Sequence, residues 1–160
     1  MLIFKIYFYI TAFLRTMLLR VIYLNKFKMG KGTTFRKGFS VMIGDQGKVH
    51  IGRNCFFNNY LSIASMENVN IDDGTIVGEC VKIYDHNHKY SDMNVPLKDQ
   101  GYVISPVKIG KRCWIGSNVV ILKGVTIGDN CVIGAGCVIY KDVAANSVVI
   151  NKQAQSITLI

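Results

Sequence analysis

The stretch Ile109-Gly110-Lys111-Arg112-Cys113-Trp114-Ile115-Gly116-Ser117-Asn118-Val119-Val120-Ile121, continuing through Lys123-Gly124-Val125-Thr126-Ile127-Gly128-Asp129-Asn130-Cys131-Val132-Ile133-Gly134-Ala135-Gly136-Cys137-Val138-Ile139, decides the fold. Isoleucine returns at every sixth position, 109, 115, 121, 127, 133 and 139, and glycine follows it at 110, 116, 128 and 134. A period of six fits neither the 3.6 of a helix nor the 2 of an alternating strand, so the repeating unit is a short strand plus a corner, stacked on its neighbours. The fourth residue after each isoleucine is also small or β-branched: Cys113, Val119, Val125, Cys131, Cys137 and Val143. Each hexad therefore has two inward apolar positions. Between them lie residues suited to turns and solvent, such as Asn118, Lys123, Asp129, Asn130 and Lys141, with Gly136 available where a positive φ is needed. Three hexads make one triangular coil of about eighteen residues whose flat sides are short parallel strands. Upstream, Ile51, Phe57, Ile63 and Val69 keep the same step, the frame slips by two, and Ile71, Val77 and Ile83 resume it.

A chain of 160 residues, 50% hydrophobic, suffices for one domain with a continuous core, because a solenoid grows along its axis. The expected division is an apolar and basic helical segment over 1–30, the β-helix over 31–150 with an insertion at 85–106, and a tail over 151–160. The net charge of +9 permits polyanion binding, but the basic residues form no long run and no interleaved aromatic platform, which argues against a nucleic-acid partner. Of the five cysteines, Cys55, Cys113, Cys131 and Cys137 fall on the small inward position of their hexads and no C-x-x-C pair exists. They are expected to be core thiols in a reducing, cytoplasmic setting. The orientation of Cys80 does not follow from the repeat.

The first 28 residues are apolar but broken by Lys5, Arg15, Arg20 and Lys26. The longest uncharged run, Ile6 to Leu14, is shorter than the roughly twenty residues a bilayer-spanning helix needs. Arg15 and Arg20 also interrupt any secretory-signal core, and no small-residue cleavage site follows. On a helical wheel the cations and threonines gather on one side and leave a broad apolar face. That face must be covered, either by the solenoid or a neighbouring subunit, or by peripheral docking on the inner face of a membrane through residues 1–28.

The hexad rhythm breaks between Tyr84 and Pro106, where Asp85-His86-Asn87-His88-Lys89-Tyr90 leads into Asp92, Pro96, Lys98 and Gly101. A polar insertion of this length must leave the prism, and it carries two of the three histidines.

From Cys113-Trp114-Ile115-Gly116-Ser117-Asn118-Val119 through Val132-Ile133-Gly134-Ala135-Gly136, the chain resembles the hexapeptide-repeat acyltransferases, whose fold is a left-handed parallel β-helix. It is most similar to galactoside and maltose O-acetyltransferases and to the O-acetyltransferases of capsule and lipopolysaccharide assembly, over roughly Ile43 to Val149. The left hand comes from the resemblance alone. The resemblance implies a homotrimer that transfers acetyl from acetyl-CoA, with no metal, to a carbohydrate hydroxyl in surface polysaccharide synthesis. His86 matches the family's general base, which takes the proton of the attacking hydroxyl. Asn58 matches an acceptor-binding asparagine, and Asp85 and His88 are further acceptor-binding candidates. Trp114, Gly116 and Ser117 match positions along the pantetheine arm and near the thioester oxygen, where a backbone N–H would stabilise an oxyanion. Ala135, Tyr140 and Lys141 match the wall of the CoA site, and a basic chain suits a ligand with several phosphates.

The chain departs from that family in two places. Val149-Ile150 runs into Asn151-Lys152-Gln153 in place of the family's Gly- and Pro-containing ending, and the apolar segment replaces its N-terminal helical domain. This favours a glycan-assembly acceptor over a free disaccharide. Two other classes share the scaffold. A gamma-type carbonic anhydrase would use His50 and His86 with a third histidine, for which His88 stands too close, and a non-catalytic hexapeptide scaffold would need none of them.

Overall fold

A computed structural model describes residues 2–152. Three parallel sheets form the sides of a prism in about five turns, the left-handed β-helix of the hexapeptide-repeat proteins. One sheet stacks Phe27–Met29, Val49–Ile51, Val69–Ile71, Val107–Ile109 and Thr126–Ile127. The second stacks Thr34–Phe35, Phe56–Phe57, Ile76–Val77, Trp114–Ile115, Val132–Ile133 and Val148–Val149. The third stacks Ser40–Ile43, Ser62–Ser65, Lys82–Tyr84, Val120–Ile121 and Val138–Ile139. Each strand pairs with the equivalent strand one coil away, as Trp114 and Ile115 do with Val132 and Ile133. The isoleucine ladder runs up the inside: Ile109, Ile115, Ile121 and Ile127 are fully buried, and Cys113, Val119, Val125, Cys131 and Cys137 fill the alternate inward positions. Burying one such isoleucine contributes about 1.5–3 kcal/mol. In the first coils aromatics replace the aliphatic filling, with Phe39 stacked between Phe35 and Phe57 at centroid distances of 4.3 and 5.8 Å.

A strand of two or three residues can return so quickly only if the corners are tight. At the corner between the second and third sides, Gly38, Tyr60, Cys80, Asn118 and Gly136 all adopt positive φ, between 56° and 74°. Cys80 thus occupies a corner rather than the core, which is why the inward pattern could not place it.

The corner between the third and first sides absorbs every irregularity of the repeat. Val41 to Ile51, Ile63 to Ile71 and Ile83 to Ile109 exceed one hexad by four, two and twenty residues, although the paired strands on either side stay in register. The two-residue frame slip and the long insertion therefore occupy the same edge of the prism. The insertion is ordered: His86–His88 and Tyr102–Ile104 form an antiparallel hairpin, with a short 3-10 turn at Leu97–Asp99.

Helix α1, Leu2–Tyr23, lies across the N-terminal end of the prism. Ala12 and Leu19 are buried, the Thr16 hydroxyl meets the Met29 sulfur, the Arg20 guanidinium donates to the Met29 carbonyl, and the Tyr23 hydroxyl donates to the Val41 carbonyl. The first coil begins at Phe27, inside the segment the sequence assigns to the helix, because Leu24 with φ 49° turns the chain straight into the prism. The tail expected over 151–160 lies, beyond Lys152, outside the described residues.

Candidate active site

Asp85 is the first residue of the insertion and has no exposed surface. Its carboxylate accepts from the backbone N–H of Met66 (2.8 Å) and of Glu67 (2.8 Å), from the Ser65 hydroxyl (2.8 Å), and stands 3.0 Å from His86 Nδ1. The two-residue slip of the preceding coil makes this possible, since the widened corner at Ser65–Asn68 aims two consecutive amides at the edge below the insertion. Burial opposes ionisation of the carboxyl, but the amides of Met66 and Glu67, the His86 ring and the Ser65 hydroxyl outweigh it and hold its pKa below the ordinary value. Asp85 is therefore saturated from within its own chain. It is not presented to an acceptor, as the sequence reading expected, but stands behind His86 as a positioning residue.

An ionised partner at Nδ1 fixes the tautomer of neutral His86: Nδ1 carries the proton and Nε2 keeps its lone pair. The ring retains 17% exposure and packs edge-on to Tyr102, with centroids 5.3 Å apart and planes at 90°, and more distantly to Tyr84. Exposed His88 packs at a tilt against the Tyr102 ring, with centroids 4.6 Å apart and planes at 43°. Tyr102 was not singled out from the sequence, and no signal there could have found it, because only the hairpin pairing of His86 with Ile104 and His88 with Tyr102 brings it back to the histidines.

A second constellation lies at the corner between the second and third sides. Asn58, Gly78, Trp114, Gly116, Ser117, Val132, Gly134 and Ala135 line a groove of about 450 Å³. Four of its expected members, Trp114, Gly116, Ser117 and Ala135, thus come together, and Asn58 joins them. Gly78, Gly116 and Gly134 form its floor, one per coil. A methyl group on Gly78 would fall 2.6 Å from the Ser117 nitrogen, and one on Gly116 would fall 2.6 Å from the Ala135 nitrogen, so at these two positions the floor is bare backbone by steric necessity. Gly78 and Gly134 are legible in hindsight, since they hold the hexad position of Gly116 one coil away. Trp114, 56% exposed, forms a flat apolar wall.

Of the two backbone amides expected near the thioester oxygen, that of Gly116 is already committed to the Ile133 carbonyl at 2.7 Å. The ladder of the solenoid requires that bond, so the Ser117 amide, which follows it outside the strand, is the remaining donor. Asn58 Oδ1 accepts from Arg36 Nη1 at 3.2 Å and from the Asn59 amide, which leaves its Nδ2 as the group available to a ligand. Tyr140, 67% exposed, and Lys141, with Nζ 5.7 Å from the Tyr140 ring, stand apart from the groove at the edge that carries His86.

His86 does not line the groove. Within one chain, His86 and the groove occupy different edges of the prism. Among the described residues no three His, Cys, Asp or Glu side chains converge as metal ligands. His50 lies mid-strand beside Lys28 and Asn70, and its pKa is lowered by burial first and then by Lys28 and Lys48.

Residues 106–141 match the family model described as the hexapeptide repeat of succinyl-transferase. The chain is 34% identical over 135 residues to WbbJ of Escherichia coli K12, named as a candidate lipopolysaccharide biosynthesis O-acetyl transferase, an alignment covering 79% of this chain and 69% of that protein. A probable acetyltransferase of Mycobacterium tuberculosis is 39% identical over 85 residues, covering 53% of this chain but only 26% of its own length. Among solved structures, galactoside acetyltransferase in complex with coenzyme A superposes with a TM-score of 0.64 at 33% identity, covering 84% of this chain and 64% of that one. The repeat, the prism and these relatives together place the chain in the hexapeptide-repeat acetyltransferase family.

Proposed function

We propose that this protein is an acetyl-CoA-dependent O-acetyltransferase that acts on a carbohydrate hydroxyl during surface polysaccharide assembly. The observation that carries the reading is His86, held through Nδ1 by a fully buried carboxylate so that Nε2 is a free base at the mouth of an ordered hairpin. A sugar hydroxyl is a weak nucleophile at neutral pH, and a positioned imidazole is worth about two to four orders of magnitude in rate. In the reaction, Nε2 takes the hydroxyl proton as the oxygen attacks the thioester carbonyl. The Ser117 amide donates to the resulting oxyanion. Collapse breaks the C–S bond, and the imidazolium returns its proton to the departing thiolate, giving acetyl ester and free CoA. Asp85 remains ionised throughout and stabilises the transient imidazolium.

The glycine floor and the Trp114 wall suit a narrow pantetheine arm that must lie against backbone. Asn58 Nδ2 and His88 are proposed to contact the acceptor, and Tyr140 and Lys141 the nucleotide end of CoA. Since base and groove sit on different edges, the reading includes a homotrimer in which His86 of one chain faces the groove of the next. Sugar acceptors are supported by the galactoside enzyme and by the lipopolysaccharide role named for the E. coli relative. The test is incubation with labelled acetyl-CoA and a panel of nucleotide sugars, lipid-linked glycans and simple glycosides. One labelled ester is expected, and His86→Ala should lower its rate by about a hundredfold or more with acetyl-CoA affinity preserved. Undiminished transfer by that variant would remove the base assignment.

A further inference from the structure

The cap on the N-terminal end of the prism is built the wrong way round for water. A terminal cap of a solenoid is expected to turn a polar face outward. Helix α1 instead packs through a narrow stripe containing Ala12, Thr16, Leu19 and Tyr23, and its opposite side holds Ile6, Ile10, Phe13, Leu14, Met17 and Val21, all exposed, with Phe13 at 64% and Val21 at 71%. By helical position Arg15 and Arg20 flank the packed stripe, one on each side, so among the described residues the outermost face carries no charged group, and its polar group is the Tyr7 hydroxyl, a side chain suited to the headgroup boundary.

The charge of the chain is concentrated at the same end. Residues 1–44 contain eight lysines and arginines and no aspartate or glutamate, whereas residues 45–160 contain eleven cations against ten acids. Eight of the nine net positive charges therefore belong to the helix and first coil. The impression of dispersed cations that composition conveys disappears once the coils are stacked. Lys28, Lys31, Arg36 and Lys37 are exposed on that coil, beside the helix.

We propose that this end of the protein docks on an anionic phospholipid surface, with helix α1 lying in the headgroup plane, its apolar side turned to the acyl chains and the first-coil cations on the phosphates. A second copy meeting the same end would bring eight uncompensated cations against eight others, which opposes self-association there. The segment Ile6–Lys26 is long and apolar enough to cross a membrane by length and composition. Crossing would tear Ala12 and Leu19 from the prism, break the Arg20 bond to the Met29 carbonyl and uncap Phe27, so the structure assigns the helix to the surface. This inference does not depend on the proposed transfer reaction.

The experiment is co-sedimentation of the full chain with vesicles of phosphatidylcholine alone and of phosphatidylcholine with about a third phosphatidylserine. Binding at least about tenfold tighter to the anionic vesicles, weakened by added salt, is expected. Phe13→Glu with Val21→Glu, which alters only exposed positions, should abolish binding. Lys31→Glu with Lys37→Glu should remove the preference for phosphatidylserine while the apolar side stays intact. Alkaline carbonate should release the bound protein. The proposal is overturned if the full chain ignores both vesicles, if it resists carbonate extraction, or if the Phe13→Glu/Val21→Glu variant changes the oligomeric mass, since that face would then lie between copies.

Discussion

Asp85 shows how much of the candidate site rests on one fully buried side chain. Its four partners are all donors, so replacing it by asparagine would set an N–H₂ group against the Met66 and Glu67 amides and leave buried donors unpaired, at a cost of about 1–3 kcal/mol. The pH dependence follows from the direction of its shift. Folding lowers the Asp85 pKa, so its contribution is fully present above the unfolded carboxylate value of about 3.9 and is lost as pH falls through the lower folded value. Denaturant titrations across the acidic range should show a shallower loss of stability with falling pH for Asp85→Asn than for the parent. The variant should also slow transfer by roughly tenfold or more at neutral pH, through kcat rather than acetyl-CoA affinity, because His86 loses the partner that fixes its tautomer. Equal acid limbs for the two proteins would show that the carboxyl titrates normally.

At the scale of elements, the hairpin is grafted on the solenoid rather than woven into it. The coils on either side pair directly, Val69 with Val107 and Ile71 with Ile109, as if the insertion were not there. Replacing 88–102 by Asn-Gly, a two-residue turn suited to closing the Asn87–Val103 pair, should leave thermal unfolding within a few degrees of the parent and keep acetyl-CoA binding, while transfer to the acceptor is lost. Retained transfer would place the acceptor elsewhere. This separation also explains what the sequence could disclose. The core was readable because each coil must bury the same two positions, from Ile109 and Cys113 to Ile139, and the period is imposed by geometry. The insertion was readable as a polar break in that period, and His86 within it only through the family resemblance. The partners of His86 were not, because Ser65, Met66 and Glu67 reach Asp85 across one turn of stacking and Tyr102 reaches the imidazole across a hairpin, and neither distance leaves a mark on local pattern. The saturation of Asp85 and of the Gly116 amide was hidden for the same reason: hydrogen bonds between coils decide which polar groups remain free.

For the whole molecule, the decisive feature is that His86 and the groove stand on different edges of one prism. In the proposed homotrimer, a rotation about an axis parallel to the solenoid would bring the third-to-first edge of one chain against the second-to-third edge of its neighbour, and three such contacts would close into a ring. This arrangement can be tested without a structure of the assembly by mixing two defective chains. His86→Ala removes the base, and Ala135→Trp fills the groove from an exposed position, leaving the core untouched. Each variant alone should be nearly inactive. In trimers formed at random from equal amounts of the two, about one interface in four joins an intact His86 to an intact groove, so roughly a quarter of the parent activity should return. If both halves of the site came from the same chain, every chain in the mixture would carry one lesion and no activity could return. Measuring transfer after co-refolding the two variants, against each refolded alone, therefore distinguishes a shared site from three separate ones.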